Sequence, residues 1–319
     1  MPELYPYAAA RIHARELSLL SRQNLEQLLA AKNYDECLHS LHGMGWDEGD
    51  TAEEILAAET EKTWQLMGEL LPELEVFQIF RLPVDFNNAK AAVKSVVTNV
   101  QAQHVFLSGG SIEPESLVKA LKDNDFSSIP EWMAKPLQEA QQLLLKTRDG
   151  QLCDVLLDKA ALDAILQAGK NSDCDLLKEY AELFVAAADL KIAQRAILTG
   201  RPAAFLKEAL AECDTLNLSR LEAAALEGMD GLESYLSLTP YADAIPALKA
   251  GASAFDKWRD DRIMALIQGE KANPFTLGPV AAYFLARQNE IAMVRIILSA
   301  KRNGLDVEDV QERLRVMYV

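Results

Sequence analysis

The chain is poor in the residues that break helices or cross-link a fold. Fifteen glycines and twelve prolines are spread over 319 residues, and alternating β-branched runs are almost absent, which leaves little material for a sheet. The four cysteines, Cys37, Cys153, Cys174 and Cys213, lie far apart and form no Cys-x-x-Cys pair. Neither a disulfide framework nor a thiolate zinc site is expected, and the chain reads as intracellular. Only four histidines are present, which starves most acid–base schemes. No run approaches the roughly 18 to 20 uncharged apolar residues of a membrane-spanning helix, and the opening stretch lacks the basic-then-apolar layout of a secretory signal. Positive charge is also short. Thirty-two Lys and Arg against 48 Asp and Glu give a net charge of −16, which excludes general binding to nucleic acid or an anionic membrane and favours basic partner surfaces.

What is abundant is Ala, Leu, Glu, Lys and Gln, the strong helix formers, so the predicted fold is all-α. After a Tyr5-Pro6-Tyr7 turn, helices are expected to begin at Ser21, with Asn24 three residues on, and at Thr51, with Glu54 completing a capping box. Pro83 should interrupt a helix that Asp85 restarts, and Asp189 should open another. A loop from Gln101 to Glu113 holds the strand-like residues His104 to Leu107, ended by Gly109-Gly110. Near the C-terminus, Leu277–Leu285 predicts a helix with one buried stripe. Ile291–Leu298, where only Arg295 is charged, predicts a helix enclosed by protein. Asp306 should start a last helix after the Asn303-Gly304 cap.

The order of elements repeats. Asp85-Phe86, Asp189-Leu190 and Glu290-Ile291 each pair an acid with an apolar residue at an expected helix start, followed five or six residues on by Lys90, Arg195 and Arg295. These positions are roughly 100 residues apart, long for a solenoid unit, so three small helical bundles are expected at 1–100, 101–202 and 203–319. The acids have two readings, partner contact or favourable placement at the positive end of a helix dipole.

No convergent chemistry emerges. Cys37, His39 and His42 lie close together without a carboxylate at metal-ligand spacing. The acidic clusters Asp173-Cys174-Asp175 and Asp256–Asp261 lack the paired spacing of a magnesium site, and the second reads as a solvated helix end neutralised by Lys257, Arg259 and Arg262. Ser108-Gly109-Gly110-Ser111 lacks the lysine of a phosphate loop and reads as a flexible turn. No catalytic, cofactor or metal residue is expected, and Asp85, Lys90, Asp189, Arg195, Glu290 and Arg295 stand as candidate interface or repeat-equivalent positions.

The ending from Asn273 to Arg315, chiefly Glu290, Ile291, Arg295, Ile296, Ile297 and Asn303-Gly304-Leu305, resembles the C subunits of bacterial and archaeal V-type (A-type) ATPases, the counterparts of the d subunit of eukaryotic V-ATPases. The stretches Ala10–Trp46 and Phe80–Lys94 resemble the same family at matching places. The resemblance implies a pseudo-threefold funnel of three helical bundles without an active site. It further implies a peripheral place on the cytoplasmic face of the membrane, between the central shaft and the proteolipid ring, where rotation is coupled to proton or sodium transport. The alternative is a cytosolic helical-repeat scaffold that binds a basic protein.

Overall fold

The computed structural model describes residues 4–100 and 105–319, so His104, and with it part of the strand-like stretch, lies outside the described residues. Every regular element among those residues is helical. In chain order they are α1 (Leu4–Glu16), α2 (Arg22–Ala30), α3 (Tyr34–Gly43), α4 (Ala52–Leu70), α5 (Gln78–Thr98), α6 (Pro114–Asp123), α7 (Glu131–Thr147) and α8 (Gly150–Lys170). Then follow α9 (Asp175–Thr199), α10 (Ala203–Ala209), α11 (Leu218–Leu226), α12 (Met229–Leu236), α13 (Ile245–Ala250), α14 (Ala252–Gln268), α15 (Gly278–Asn303) and α16 (Val307–Gln311).

Local signals set many of the helix ends. Ser21 and Asn24 form the reciprocal capping box at α2, and the Thr51 hydroxyl accepts the Glu54 N–H at α4. These bonds satisfy amides that the first helical turn leaves without partners. At the other end, Gly304 takes the left-handed conformation that stops α15, as Asn303-Gly304 predicts.

Where sequence and structure differ, apparent breaks have been bridged. Tyr5, Pro6 and Tyr7 lie within α1 rather than in a turn. Pro83 lies inside α5 and Pro136 inside α7. Each removes one backbone donor, and packing of α5 and α7 on α8 holds the helices continuous. The polar interruption between Leu285 and Ile291 is likewise spanned by the single helix α15.

The chain divides into two compact units. One comprises Met1–Leu74, Asp173–Tyr180 and Pro246–Val319, the other Glu75–Ser172 and Ala181–Ile245. In the first, α15 is the central element and packs against α1, α2, α3, α4, α14 and α16. Its second half joins Leu25, Leu28, Leu41 and Ile55 through Val294, Ile297 and Leu298. Contrary to the striped pattern expected there, it is the first half, Gly278 to Arg287, that is buried on every side. Gly278, Ala281, Ala282 and Ala286 are small enough to admit neighbouring helices on faces that a count of large apolar residues would leave open. The Ile291–Leu298 half instead keeps Arg295 in solvent. In the second unit, α5 packs on α6, α7 and α8, with α10 against α8 and α11 paired with α12.

The acidic run on α14 serves the first unit in a way that a solvated helix end would not. Asp261 accepts the Val316 N–H at 2.7 Å, Asp260 pairs with Arg315 at 3.1 Å, and Lys257 donates to the Leu314 carbonyl. With Gln268 donating to Met317 O and Tyr318 to Glu16, these contacts fasten the C-terminal tail, whose Leu314, Met317 and Tyr318 are buried.

Candidate functional site

The three acids singled out by spacing do not start helices. Asp85 lies inside α5, Asp189 inside α9 and Glu290 inside α15, so a helix-terminal dipole does not explain them. They are 0 %, 0 % and 1 % exposed; Asp85 and Asp189 accept backbone N–H groups from outside their helices, whereas Glu290 accepts from Arg287 of its own. A buried carboxylate is costly unless donors replace its lost water, and the three are served unequally.

Asp85 is the best supplied. Ser111 donates its N–H at 2.7 Å and its hydroxyl at 2.6 Å, and Ile112 donates its N–H at 3.0 Å. Burial raises the carboxyl above its ordinary value, while these donors and Arg81 hold the rise down. One turn along α5, Asn88 forms a reciprocal pair with Leu107, accepting its N–H at 2.8 Å and donating to its carbonyl at 2.9 Å. The segment Leu107–Ile112 is therefore stitched to α5 by side chains. Its glycine-rich part, expected to be a flexible turn, is a carboxylate clamp. A Cβ added at Gly110 would lie 2.5 Å from Asp85 Oδ1, so glycine is required there by close approach. Gly110→Ala is expected to displace the carboxylate from its donors and to cost about 2 kcal/mol of stability, within the range for charge-assisted hydrogen bonds. A urea unfolding midpoint equal to that of the native chain would remove this role.

Asp189 receives one amide, the Ala211 N–H at 3.0 Å, and its Oδ2 is buried without a partner among the described residues. Burial pushes this carboxyl up to about 7; the Ala211 bond and Lys159 oppose the rise, and Asp163 and Glu182 add to it. Two turns earlier on α9, Glu182 accepts both the N–H and the hydroxyl of Thr215, at 2.7 and 2.6 Å. Here too a long helix holds a later loop, the one between α10 and α11, through an acid and a second polar side chain.

Glu290 uses a side-chain cation. Arg287 donates to Glu290 at 2.8 Å and to Glu59 at 2.6 Å, and its guanidinium lies 5.4 Å from the centre of the Trp46 ring. Glu59 also accepts from the Asp47 N–H at 3.1 Å and from Lys62 at 2.9 Å. Burial raises Glu290, with Arg287 the chief opposing influence, helped by the nearby Leu20 amide and Trp46 indole. Neither Trp46 Nε1 nor Glu290 Oε2 attains close hydrogen-bond geometry. Arg287 and Glu59 form part of the wall of a cleft of about 420 Å³ that also includes Arg15, Lys62 and Tyr283.

The cations of the pattern separate into two kinds. Lys90 is tied to Asp158 at 2.6 Å. Arg195 and Arg295 are exposed, and among the described residues neither takes part in an ion pair. The structure thus gives the acids internal partners and leaves two arginines on the surface. Elsewhere, Cys37 is fully buried and directed at the Leu28 carbonyl, whereas His42 faces Glu48 at 3.2 Å. Among the described residues, no three His, Cys, Asp or Glu side chains group as metal ligands, and no helix is long and apolar enough to cross a membrane. Asn88, Glu182 and Arg287 were not singled out by the sequence. A polar residue one or two turns from each repeated acid was the available signal.

Comparison with known proteins gives one consistent result. Residues 8–313 match the family model described as ATP synthase (C/AC39) subunit. The chain is 22% identical to the C subunit of the V-type sodium ATPase of Enterococcus hirae, covering 96% of this chain and 97% of that one. It is 25% identical to the C subunit of the V-type ATP synthase of Thermus thermophilus, over 98% and 99% of the two chains. With the C subunit of the A-type ATP synthase of Thermococcus kodakarensis it shares 22% identity over 97% and 89%.

Proposed function

Because the chain belongs to the ATP synthase (C/AC39) subunit family, we propose that it is a non-catalytic central-stalk subunit of a V-type or A-type rotary ATPase. In this reading it is a socket on the cytoplasmic face of the membrane that joins the rotating shaft subunits to the proteolipid ring. It thereby couples ATP hydrolysis or synthesis to proton or sodium transport. The observation that carries the proposal is the family match across residues 8–313 together with relatives aligned over nearly their whole lengths.

The three-part division at 1–100, 101–202 and 203–319, and its pseudo-threefold funnel form, belong to the same proposal. They are supported by recurrence: three long helices, α5, α9 and α15, each carry a buried acid, two of them bonded to backbone outside the helix and the third to a buried arginine that also reaches Glu59. A part that transmits torque needs stiffness, and well-supplied buried acids such as Asp85 on the 107–112 segment and Glu290 with Arg287 and Glu59 oppose sliding of one element over another. Arg195 and Arg295, exposed and without ion pairs among the described residues, are the proposed partner-facing members of the pattern, since the rims of protein interfaces are polar.

Two measurements test this. The chain is expected to sediment with membranes holding the remaining ATPase subunits and to wash off at low salt or with chelator; a chain that stays wholly in the soluble fraction would count against the socket. Arg295→Glu is expected to weaken capture of shaft subunits by about tenfold, or ~1.4 kcal/mol. Undiminished capture and transport would remove Arg295 from the interface.

A further inference from the structure

Of the three buried acids, Asp189 alone is left with a single neutral donor. Asp85 has two amides and a hydroxyl, and Glu290 has a guanidinium. Asp189 has the Ala211 amide on Oδ1 and, among the described residues, nothing on Oδ2. An anion in that position loses its hydration without replacement, whereas the neutral acid gives up far less. We infer that the Asp189–Ala211 hydrogen bond is a pH-responsive latch on the segment leading from α10 into α11, closed while the carboxyl keeps its proton and loosened when it ionises. The inference stands independently of the role proposed above.

The surroundings favour such a device. Lys159 and Asp163 face Asp189 from α8, Glu182 faces it from α9, and Cys213 faces it from the segment itself. Lys159 supports the anion, but its amine is also directed at the Lys207 carbonyl at 3.4 Å. Asp163 and Glu182 oppose the anion, and Glu182 is held in place by Thr215. Burial places the titration near neutrality, at about 7.

The direction follows from proton linkage. An opened latch exposes the carboxyl to water, where it titrates near about 3.9. The closed form holds its proton more tightly, so closure is fully favoured below about pH 4, and its advantage is lost as pH rises through about 7. Between those values the opening equilibrium grows about tenfold per pH unit, and above them it is flat.

Hydrogen exchange of the full-length chain, read by mass spectrometry over residues 210–216 from pH 5 to 8.5 and corrected for intrinsic exchange, tests the latch. Protection is expected to fall by about 15-fold between pH 5.5 and 7, the tenfold-per-unit dependence being halved as the midpoint near 7 is reached, and to level off above pH 7.5. Asp189→Asn, which cannot ionise yet keeps the acceptor for Ala211, should make the profile flat. A native profile without the fall, or an Asp189→Asn profile that retains it, overturns the proposal. Asp163→Asn removes an exposed like charge and should move the midpoint to lower pH. If Asp189→Asn does not fold, that shift decides, and an unmoved midpoint is the overturning result.

Discussion

Replacing Arg287 by methionine is expected to destabilise the chain by about 3–5 kcal/mol, the range observed when one member of a buried ion pair is removed. Arg287 is buried between Glu59 and Glu290 at 2.6 and 2.8 Å. Without it two carboxylates lie in the interior of the first unit with no cation between them, since Lys62 reaches only Glu59. The sign of the pH effect is fixed. Loss of the guanidinium raises the Glu290 carboxyl beyond the rise that burial already causes. A group raised on folding gives stability at low pH that disappears as pH increases. The deficit of Arg287→Met should therefore shrink as pH is lowered from 8 toward 5. Adding Glu59→Gln and Glu290→Gln should restore most of the stability, because the charges that needed the arginine are gone. Urea unfolding followed by circular dichroism measures all three. A single variant within 1 kcal/mol of the native chain would show that the network contributes little.

Removing Leu314 to Val319 is expected to cost on the order of 5 kcal/mol or more, from burial worth about 1.5–3 kcal/mol for each large apolar side chain. Leu314, Met317 and Tyr318 are buried against the first unit. Their loss would also leave Asp260, Asp261 and Gln268 of α14 without tail partners. A deficit of that size rivals the whole stability of an ordinary domain. The truncated chain should therefore expose α14 and the second half of α15 to proteases under conditions in which the native chain resists, with cleavage sites assigned by mass spectrometry. Leu314→Ala alone should cost about 2–5 kcal/mol. A truncated chain that melts and digests like the full-length one would show the tail to be an ornament rather than a fastening.

How much could be read beforehand depended on the reach of each interaction. The caps at Ser21 and Thr51 were legible because their partners lie three residues away. The recurrence of Asp85, Asp189 and Glu290 was legible as spacing, yet their place within helices was not. Pro83 is an ordinary helix breaker in isolation, and only packing by distant segments overrides it, whereas the polar run before Glu290 interrupts the apolar pattern but not the helix, since Ala286, Arg287 and Gln288 are good helix formers. The inward roles of the acids were less visible still. The donors to Asp85 lie 26 and 27 residues downstream, and the donor to Asp189 lies 22 downstream. The acids of α14 looked solvated for the same reason: the tail amide and arginine that they hold are 55 positions away. Asn88 carries no distinctive local signal, since its effect depends on an extended segment whose backbone needs a partner.

The joining of the first 74 residues to Pro246–Val319 in one unit has a consequence for biosynthesis. As the polypeptide leaves the ribosome, Leu25, Leu28, Leu41 and Ile55 emerge long before Val294, Ile297 and Leu298, the side chains that will cover them. The other unit has all of its residues by Ile245, so it can finish while its neighbour still waits for material. During that interval the early helices present bare apolar faces to water, the condition under which nascent chains aggregate or engage chaperones. Emergence of α15, rather than the speed of any local helix, sets the moment at which this half of the molecule can close.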